Sequence, residues 1–207
     1  GIIVCFLSIT LSVSIGATNI PASTVWSIVL HKLSILDGAS DWSTSRENIV
    51  WDLRLPRALL AAIVGAGLGI AGAAMQSVTR NPLADPHLLG VSAGAGFGAN
   101  LAILMMGNIF GALTVPTFAT MIGVLVAGFT ASTGPTRLVL AGLAVSFVIA
   151  ACSNVLIMLA DPRAISSVVF WMLGSFGFAQ WGNLHLPALT LLLCTLVFLR
   201  YAQQLNA

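Results

Sequence analysis

The chain has 207 residues, of which 58% are hydrophobic and only 7% are charged, with a formal net charge of +2 and a mean hydropathy of +1.02. A soluble domain carries roughly 25% charged residues, and so few charges could not cover its surface. Composition therefore predicts an integral membrane protein, and the small net charge without a Lys/Arg run gives no support to nucleic-acid binding.

The first apolar segment, 1–20, has the length of a membrane helix, since a span needs about 20 apolar residues. A signal peptide is the alternative, but the run exceeds an apolar region of roughly 7–15 residues and lacks a basic start. We interpret it as a membrane helix that has lost its N-terminal flank. Because the other end also stops just beyond a predicted helix, we expect the chain to be a fragment.

The longest polar connection, 21–57, comes next. Its four basic and four acidic residues cancel in charge: Lys32, Arg46, Arg54 and Arg57 against Asp37, Asp41, Glu47 and Asp52. Its tryptophans are typical of an aromatic belt at a membrane surface: Trp26, Trp42 and Trp51. The part from Pro21 to Leu33 is predicted to form a short helix lying on the membrane, with Pro21 near its first turn.

The second predicted span, 58–77, carries glycines on one helix face. Gly65, Gly69 and Gly72 recur at i, i+4 and i+7. Small residues at this spacing let a neighbouring helix backbone approach closely, so the pattern favours helix packing. A glycine track lining a permeation path is the alternative.

The third predicted span, 88–106, has two stripes of small or polar residues. The first is predicted to pack against another helix: Gly90, Gly94 and Gly98. The second is predicted to line a polar pathway, with interhelical hydrogen bonding as the alternative: Ser92, Gly96 and Asn100. An asparagine is costly against lipid, so Asn100 must face protein or a water-filled path.

Three further apolar segments complete six predicted spans: 109–130, 138–160 and 186–202. The segment 164–178 is apolar but short, and its polar flanks favour an interfacial or re-entrant helix. The predicted fold is all-α: a polytopic transmembrane helical bundle of about six spans plus one short helix. We expect residues 1–207 to form a single transmembrane domain.

The residue types that carry chemistry are scattered. The cysteines lie in apolar segments without CxxC spacing and are predicted to be small buried hydrophobes: Cys5, Cys152 and Cys194. The histidines have no nearby partner ligand and are predicted to be solvated loop residues: His31, His87 and His185. No GxxxxGK[ST] loop is present, so the chain is not expected to hydrolyse ATP. We predict no catalytic, metal or cofactor site.

Three motifs stand close together around the second span. Arg54-Leu55-Pro56-Arg57 precedes it, Asn81-Pro82-Leu83-Ala84-Asp85-Pro86 follows it, and Leu88-Leu89-Gly90-Val91-Ser92-Ala93-Gly94 opens the third. In this combination the chain resembles the permease family of ATP-binding-cassette importers for iron-siderophores, haem and vitamin B12. Further matching blocks at 136–142 and 170–175 extend the resemblance over nearly the whole chain.

The resemblance implies a fold of ten helices, of which this chain supplies the N-terminal six. It also implies an inner-membrane location and a set of partners. These are a second permease subunit, two cytoplasmic ATPase subunits and an extracytoplasmic substrate-binding protein. The permease pair would switch between outward-open and inward-open states around a shared pathway. The cytoplasmic loop that contacts the ATPase is expected beyond Ala207.

The resemblance also implies roles for individual residues. Arg54 and Arg57 would dock acidic residues of the binding protein, since an exposed arginine pair can bind carboxylates in a bidentate manner. Their alternative role is to anchor a helix end at lipid headgroups. The resemblance assigns Asn81, Leu83 and Thr136 to a cytoplasmic gate.

Orientation is a point on which charge and resemblance disagree. The resemblance puts Arg54 and Arg57 outside the cell. With six spans, the side that holds them has five basic residues: Lys32, Arg46, Arg54, Arg57 and Arg163. The opposite side has three: Arg80, Arg137 and Arg200. The positive-inside rule would reverse this arrangement. We follow the resemblance, because the margin is two and the flanks of the chain are missing.

Two other function classes lack the residues that they require. An ion-coupled secondary transporter needs intramembrane charged groups, and no span centre contains one. An intramembrane enzyme needs a nucleophile with its base, or a metal site, and neither pattern occurs. The sequence does not distinguish a ferric siderophore, haem or cobalamin as cargo.

Overall fold

The computed structural model describes residues 1–35, 42–106, 109, 113–132, 138–177 and 179–205. These residues are almost entirely helical and include no strand. The α-helices are α1 (Ile2–Ser14), α2 (Ala22–Lys32), α3 (Thr44–Asn48), α4 (Leu55–Thr79), α5 (Val91–Leu101), α6 (Thr114–Ala131), α7 (Leu138–Met158), α8 (Pro162–Met172) and α9 (Trp181–Leu205). Two π-helical segments, Ile49–Arg54 and Ala102–Met106, and one 3-10 helix, Pro86–Leu89, accompany them.

Among the described residues, four helices are long and apolar enough to cross a membrane. They are the continuous helix Thr44–Thr79, then α6, α7 and α9. The remaining two predicted spans fold as shorter apolar helices, Ile2–Ser14 and Val91–Met106. The all-helical, multi-span membrane fold is therefore confirmed, and the crossing of the first and third segments stays a prediction.

The connection 21–57 contains more helix than its polar composition suggests. Helix α2 begins directly after Pro21, as predicted. Its buried residues, Val25, Ile28 and Val29, pack in a core with the end of α1 and the start of α4. Protein therefore covers the apolar face of α2, and its position on the membrane stays a prediction. The second half of the connection, α3 and the π-helical segment, runs without a break into α4.

The two ends of the turn after α4 show left-handed backbone. Arg80 has φ +50°, and the amide of Asn81 donates to the carbonyl of Gln76, which closes the helix in a Schellman motif. Gly90 has φ +74° and separates the 3-10 helix from α5. The third predicted helix therefore begins at Val91 and not at residue 88, because Gly90 turns the chain there.

Two compact units make up the chain, and each is described by itself. The first comprises Gly1–Ile70 and Ser175–Tyr201, and the second comprises Ala71–Gly174 with the chain end from Ala202. In the first unit, α1, α2 and the π-helical segment Ile49–Arg54 enclose the core that contains Ile28 and Val50. In the second unit, α5 packs on α6 and α7.

Helix α8 is the predicted short helix. Its eleven residues begin at Pro162, and the Asp161 carboxylate accepts a hydrogen bond from the Arg163 amide at 2.8 Å. This N-cap and the proline at the first helical position define the start of the helix. Whether the helix is interfacial or re-entrant stays a prediction.

Candidate functional site

The two arginines of the RLPR motif have different surroundings, although three positions separate them. Arg54 Nη1 donates to the carbonyl of Val13 at 2.8 Å, and Nη2 donates to the carbonyl of Thr18 at 2.7 Å. A helix leaves its last carbonyls without internal partners, and a cation at this end is also favoured by the helix dipole. Arg54 therefore caps the C-terminus of α1 and the turn that follows it.

Gly16 makes this capping possible. A Cβ at residue 16 would lie 2.5 Å from Arg54 Nη2 and 2.8 Å from Cζ. Both distances are below those of real Cβ contacts, so a larger residue would displace the guanidinium. Gly16 carries no signal in the sequence, because nothing local to it points to a partner almost forty residues away.

Arg57 is exposed and makes one hydrogen bond within the described residues. Its Nη2 donates to the carbonyl of Gly177 at 3.1 Å, and the guanidinium makes no other hydrogen bond in the described part of the chain. It therefore keeps donors available for a carboxylate. Arg54, in contrast, already binds backbone carbonyls, and the paired docking role that the resemblance implies stays a prediction.

The π-helical segment Ile49–Arg54 ends at a proline and a distant tryptophan, Pro56 and Trp181. The amide of Leu55 donates to the carbonyl of Val50, in the i to i−5 pattern of a π-helix. In this register residue 56 would donate to Trp51, but proline has no N–H. The indole N–H of Trp181 takes this place, at 2.9 Å from the Trp51 carbonyl, and the two indole rings lie 4.7 Å apart. The start of α9 is thereby fixed beside Arg57.

The turn after α4, in the second unit, satisfies its polar groups internally. Asn81 Oδ1 accepts a hydrogen bond from the Leu83 amide at 3.0 Å, and Asp85 Oδ1 accepts one from the His87 amide at 2.7 Å. Ala84 is buried in a small core, whereas Leu83 is 86% exposed. Leu83 is therefore an exposed side chain on a loop that these two hydrogen bonds stabilise. Thr136, the third predicted gate residue, lies outside the described residues.

The glycine stripe of α5 lies at helix contacts. A Cβ at Gly94 would lie 2.8 Å from Val126, and one at Gly98 would overlap the Phe118 carbonyl of α6. A Cβ at Gly90 would lie 3.1 Å from Ser146 Oγ on α7. This geometry agrees with the packing predicted for the stripe.

The glycine stripe of α4 differs. A Cβ at Gly65, Gly69 or Gly72 would have no atom of a described residue within 4 Å, apart from its own helix. The close packing predicted for this face is therefore absent from the contacts that the described chain makes with itself. A contact with a surface outside this chain stays a prediction.

The second stripe of α5 does not form one continuous lining. Ser92 is exposed and Gly96 faces open space, but Asn100 is only 1% exposed. Protein therefore surrounds Asn100 in this chain, and the pathway role expected for the stripe stays a prediction. Its Oδ1 accepts no hydrogen bond from the described residues.

The isolated cysteines and histidines also differ from expectation. All three cysteines are exposed on the surface of the chain, where an apolar side chain suits a membrane helix: Cys5, Cys152 and Cys194. His31 is on α2, not in a loop, and its ring contacts Trp42 edge-on at 5.8 Å. His185 is likewise helical, in α9. Across the described ranges, no three of the His, Cys, Asp and Glu side chains are grouped in a way that could hold a metal.

Comparison with known proteins gives consistent matches. The sequence profile of the FecCD transport family matches residues 3–207. The chain is 34% identical over 180 residues to the hemin transport system permease protein HmuU of Yersinia pestis, covering 80% of this chain and 53% of HmuU. It is 34% identical over 217 residues to the ferric enterobactin transport system permease protein FepD of Escherichia coli, covering 100% of this chain and 61% of FepD.

A solved structure supports the same relationship. It shows an inward-facing ABC transporter assigned to the metal-chelate type, with a TM-score of 0.80 and 27% identity, covering 99% of this chain and 61% of that chain. The present chain thus spans between half and two thirds of the length of these relatives.

Proposed function

The chain belongs to the FecCD transport family, and from this premise we propose that it is part of the permease subunit of an ATP-binding-cassette importer. Its cargo is a metal chelate of the iron-siderophore, haem or cobalamin class. The relatives named for hemin and ferric enterobactin support this class. ATP hydrolysis belongs to a separate cytoplasmic subunit.

The observation that carries the proposal is the state of the two motifs that flank α4. Arg57, at its N-terminal end, retains donors for an acidic partner. Leu83, just beyond its C-terminal end, is an exposed apolar side chain on a loop that its own hydrogen bonds hold in shape. An importer permease needs both a docking group outside and a movable apolar constriction inside.

The roles within this proposal follow from those contacts. Arg57 binds a carboxylate of the extracytoplasmic binding protein, while Arg54 holds α1 in place beside it. Leu83 contributes the side chain of the cytoplasmic gate, Asn81 fixes the turn that carries it, and Thr136 supplies a second gate segment. A second permease subunit completes the pathway in the inner membrane. No observation favours the ion-coupled secondary transporter.

The test is reconstitution of the full-length permease with its ATPase and binding protein in proteoliposomes. Uptake of labelled haem, ferric siderophore and cobalamin is measured with ATP present or omitted inside the vesicles. We expect uptake of one class that requires both ATP and the binding protein, and that persists when ionophores collapse all ion gradients. Uptake that follows an ion gradient without ATP would reject the proposal.

A further inference from the structure

A cleft of about 200 Å³ opens on the first unit, near the polar end of the continuous helix Thr44–Thr79. It lies between the N-terminal half of α2 and the residues that precede and begin α3. Its walls are polar except for one indole ring: Ser23, Thr24, Ser27, Trp42 and Arg46. None of the roles described above uses these residues.

Arg46 brings a positive charge to this cleft. The neighbouring charges are already paired, since Lys32 Nζ lies 2.6 Å from Glu47 Oε1 and the Trp42 indole N–H donates to Glu47 Oε2 at 3.2 Å. The hydrogen bond to Glu47 raises the pKa of Lys32, so this pair stays ionised at neutral pH. Within the described ranges, the Arg46 guanidinium itself makes no hydrogen bond or ion pair.

The other walls add hydrogen-bond donors of the kind that bind an oxyanion. Ser27 Oγ donates to the Ser23 carbonyl at 2.9 Å, whereas the hydroxyls of Ser23 and Thr24 make no hydrogen bond with described residues. A guanidinium flanked by free hydroxyls suits a carboxylate, which accepts two parallel bonds from arginine and further bonds at its remaining lone pairs. The cleft volume fits one acidic side chain.

The position of Arg46 decides between a lipid and a protein source for this anion. Arg46 precedes the predicted apolar segment 58–77 by 12 residues of continuous helix, which is at most about 18 Å, since the α-helical rise is 1.5 Å per residue and the π-helical segment Ile49–Arg54 rises less. The headgroup zone on one side of a bilayer is only about 5–8 Å thick. Polar groups of Asp52 and Arg57 also lie between the cleft and that segment. The cleft therefore stands beyond the headgroups, where a soluble protein reaches it.

From these contacts we infer that the cleft receives an acidic side chain of the extracytoplasmic binding protein, and that Arg46 is a second docking arginine. This inference rests on the proposed function. Arg46 and Arg57 lie 11 residues apart in one helix, about 16 Å along its axis, so they bind two different carboxylates. Arg46 thus takes the position in the docking pair that Arg54 leaves by capping α1.

The test measures the affinity of the purified binding protein for the full-length transporter in nanodiscs, at 50 and 300 mM salt. Arg46→Gln is compared with Arg57→Gln, and Arg163→Gln serves as a matched loss of one exposed arginine in the second unit. Ser27→Trp fills the cleft without changing charge. We expect Arg46→Gln and Ser27→Trp each to weaken binding about three- to tenfold at low salt, with a smaller salt dependence for Arg46→Gln. Arg163→Gln should have no effect.

Each outcome decides between the inference and the function on which it rests. Weaker binding for Arg57→Gln, with unchanged binding for Arg46→Gln and Ser27→Trp, overturns the cleft as a docking site and leaves the importer function in place. A lipid occupant is shown if Arg46→Gln changes thermal stability only in nanodiscs that contain phosphatidylglycerol and leaves binding-protein affinity unchanged. If the wild-type transporter does not bind the protein at all, both the function and the inference fail.

Discussion

Arg54 extends over the backbone of Gly16 so closely that a single added carbon at residue 16 would lie 2.5 Å from the arginine Nη2. The contact joins the end of the first helix to the start of the fourth. The RLPR motif alone does not reveal that its arginines differ, since Arg54 binds backbone carbonyls within the fold and Arg57 faces solvent.

The first prediction concerns this contact. Gly16→Ala displaces the guanidinium and breaks its bonds to the carbonyls of Val13 and Thr18. We expect a loss of about 1–3 kcal/mol in unfolding free energy. Thermal unfolding of the full-length protein in detergent measures it. Gly182→Ala, at an open position in α9, is the control. Equal melting temperatures for the two variants would show that Arg54 tolerates a side chain at residue 16.

The second prediction separates the two arginines. Arg54→Gln leaves backbone carbonyls at the end of α1 without a donor, so it should lower the melting temperature. Arg57→Gln removes only one exposed bond to Gly177, so the fold should persist while affinity for the binding protein falls. Melting curves and binding isotherms on both variants provide the comparison. If both variants lost the same melting temperature and the same affinity for the binding protein, the two arginines would have the same role and the prediction would be wrong.

A third prediction uses two glycines of α5. Gly98→Ala would overlap the Phe118 carbonyl of α6, and such overpacking costs about 1–3 kcal/mol. Gly96→Ala, two residues away, meets open space and should be neutral or stabilising by about 0.5–1 kcal/mol, because alanine favours helix over glycine. Size-exclusion profiles after a heating series compare the variants. A Gly98→Ala protein that survives heating as well as Gly96→Ala would contradict the tight α5–α6 contact.

The fourth prediction is the orientation of the chain. Single cysteines replace Arg46 and Leu83 in a background in which the three native cysteines are alanine, since all three are exposed. An impermeant maleimide on intact cells should label position 46 and not position 83. Ala84 is unsuitable as a probe because it is only 5% exposed, whereas Leu83 is 86% exposed. Labelling of position 83 alone would invert the assignment.

Hydropathy was sufficient to predict which apolar segments are helical, because a backbone in the hydrocarbon core must pair its N–H and C=O groups internally, and a helix does so within one segment. It was insufficient where polar residues form helix. The run from Thr44 to Arg54 is helical because it continues α4 and is capped by Ser43, and its π-helical register depends on Pro56 and a distant tryptophan. A single sequence does not display such tertiary partners.

The sequence was sufficient to locate the motifs of the candidate site, but not to predict which contacts each of their residues makes. Arg54 and Arg57 are chemically identical, and only the approach of the α1 terminus distinguishes them. Asn100 was expected to avoid lipid and is buried in protein. A polar residue in an apolar segment is compatible both with burial against protein and with a polar pathway, so the sequence alone does not distinguish the two environments. Arg46 could not be singled out from the sequence, because only the structure shows that the neighbouring Glu47 pairs with Lys32 and not with Arg46.

The contact of Trp51 with Trp181 has a consequence for biosynthesis. The two residues are 130 positions apart, and Arg57 and Gly177 are 120 apart. At a translation rate of about 5–20 residues per second, the ribosome needs roughly 6–26 s to make the later partner after the earlier one. During this interval the Trp51 carbonyl has no donor from α9. The Arg54 bonds to α1 and the apolar core shared by α1, α2 and the start of α4 involve only residues that emerge early, so these contacts are available to the nascent chain before α9 is made.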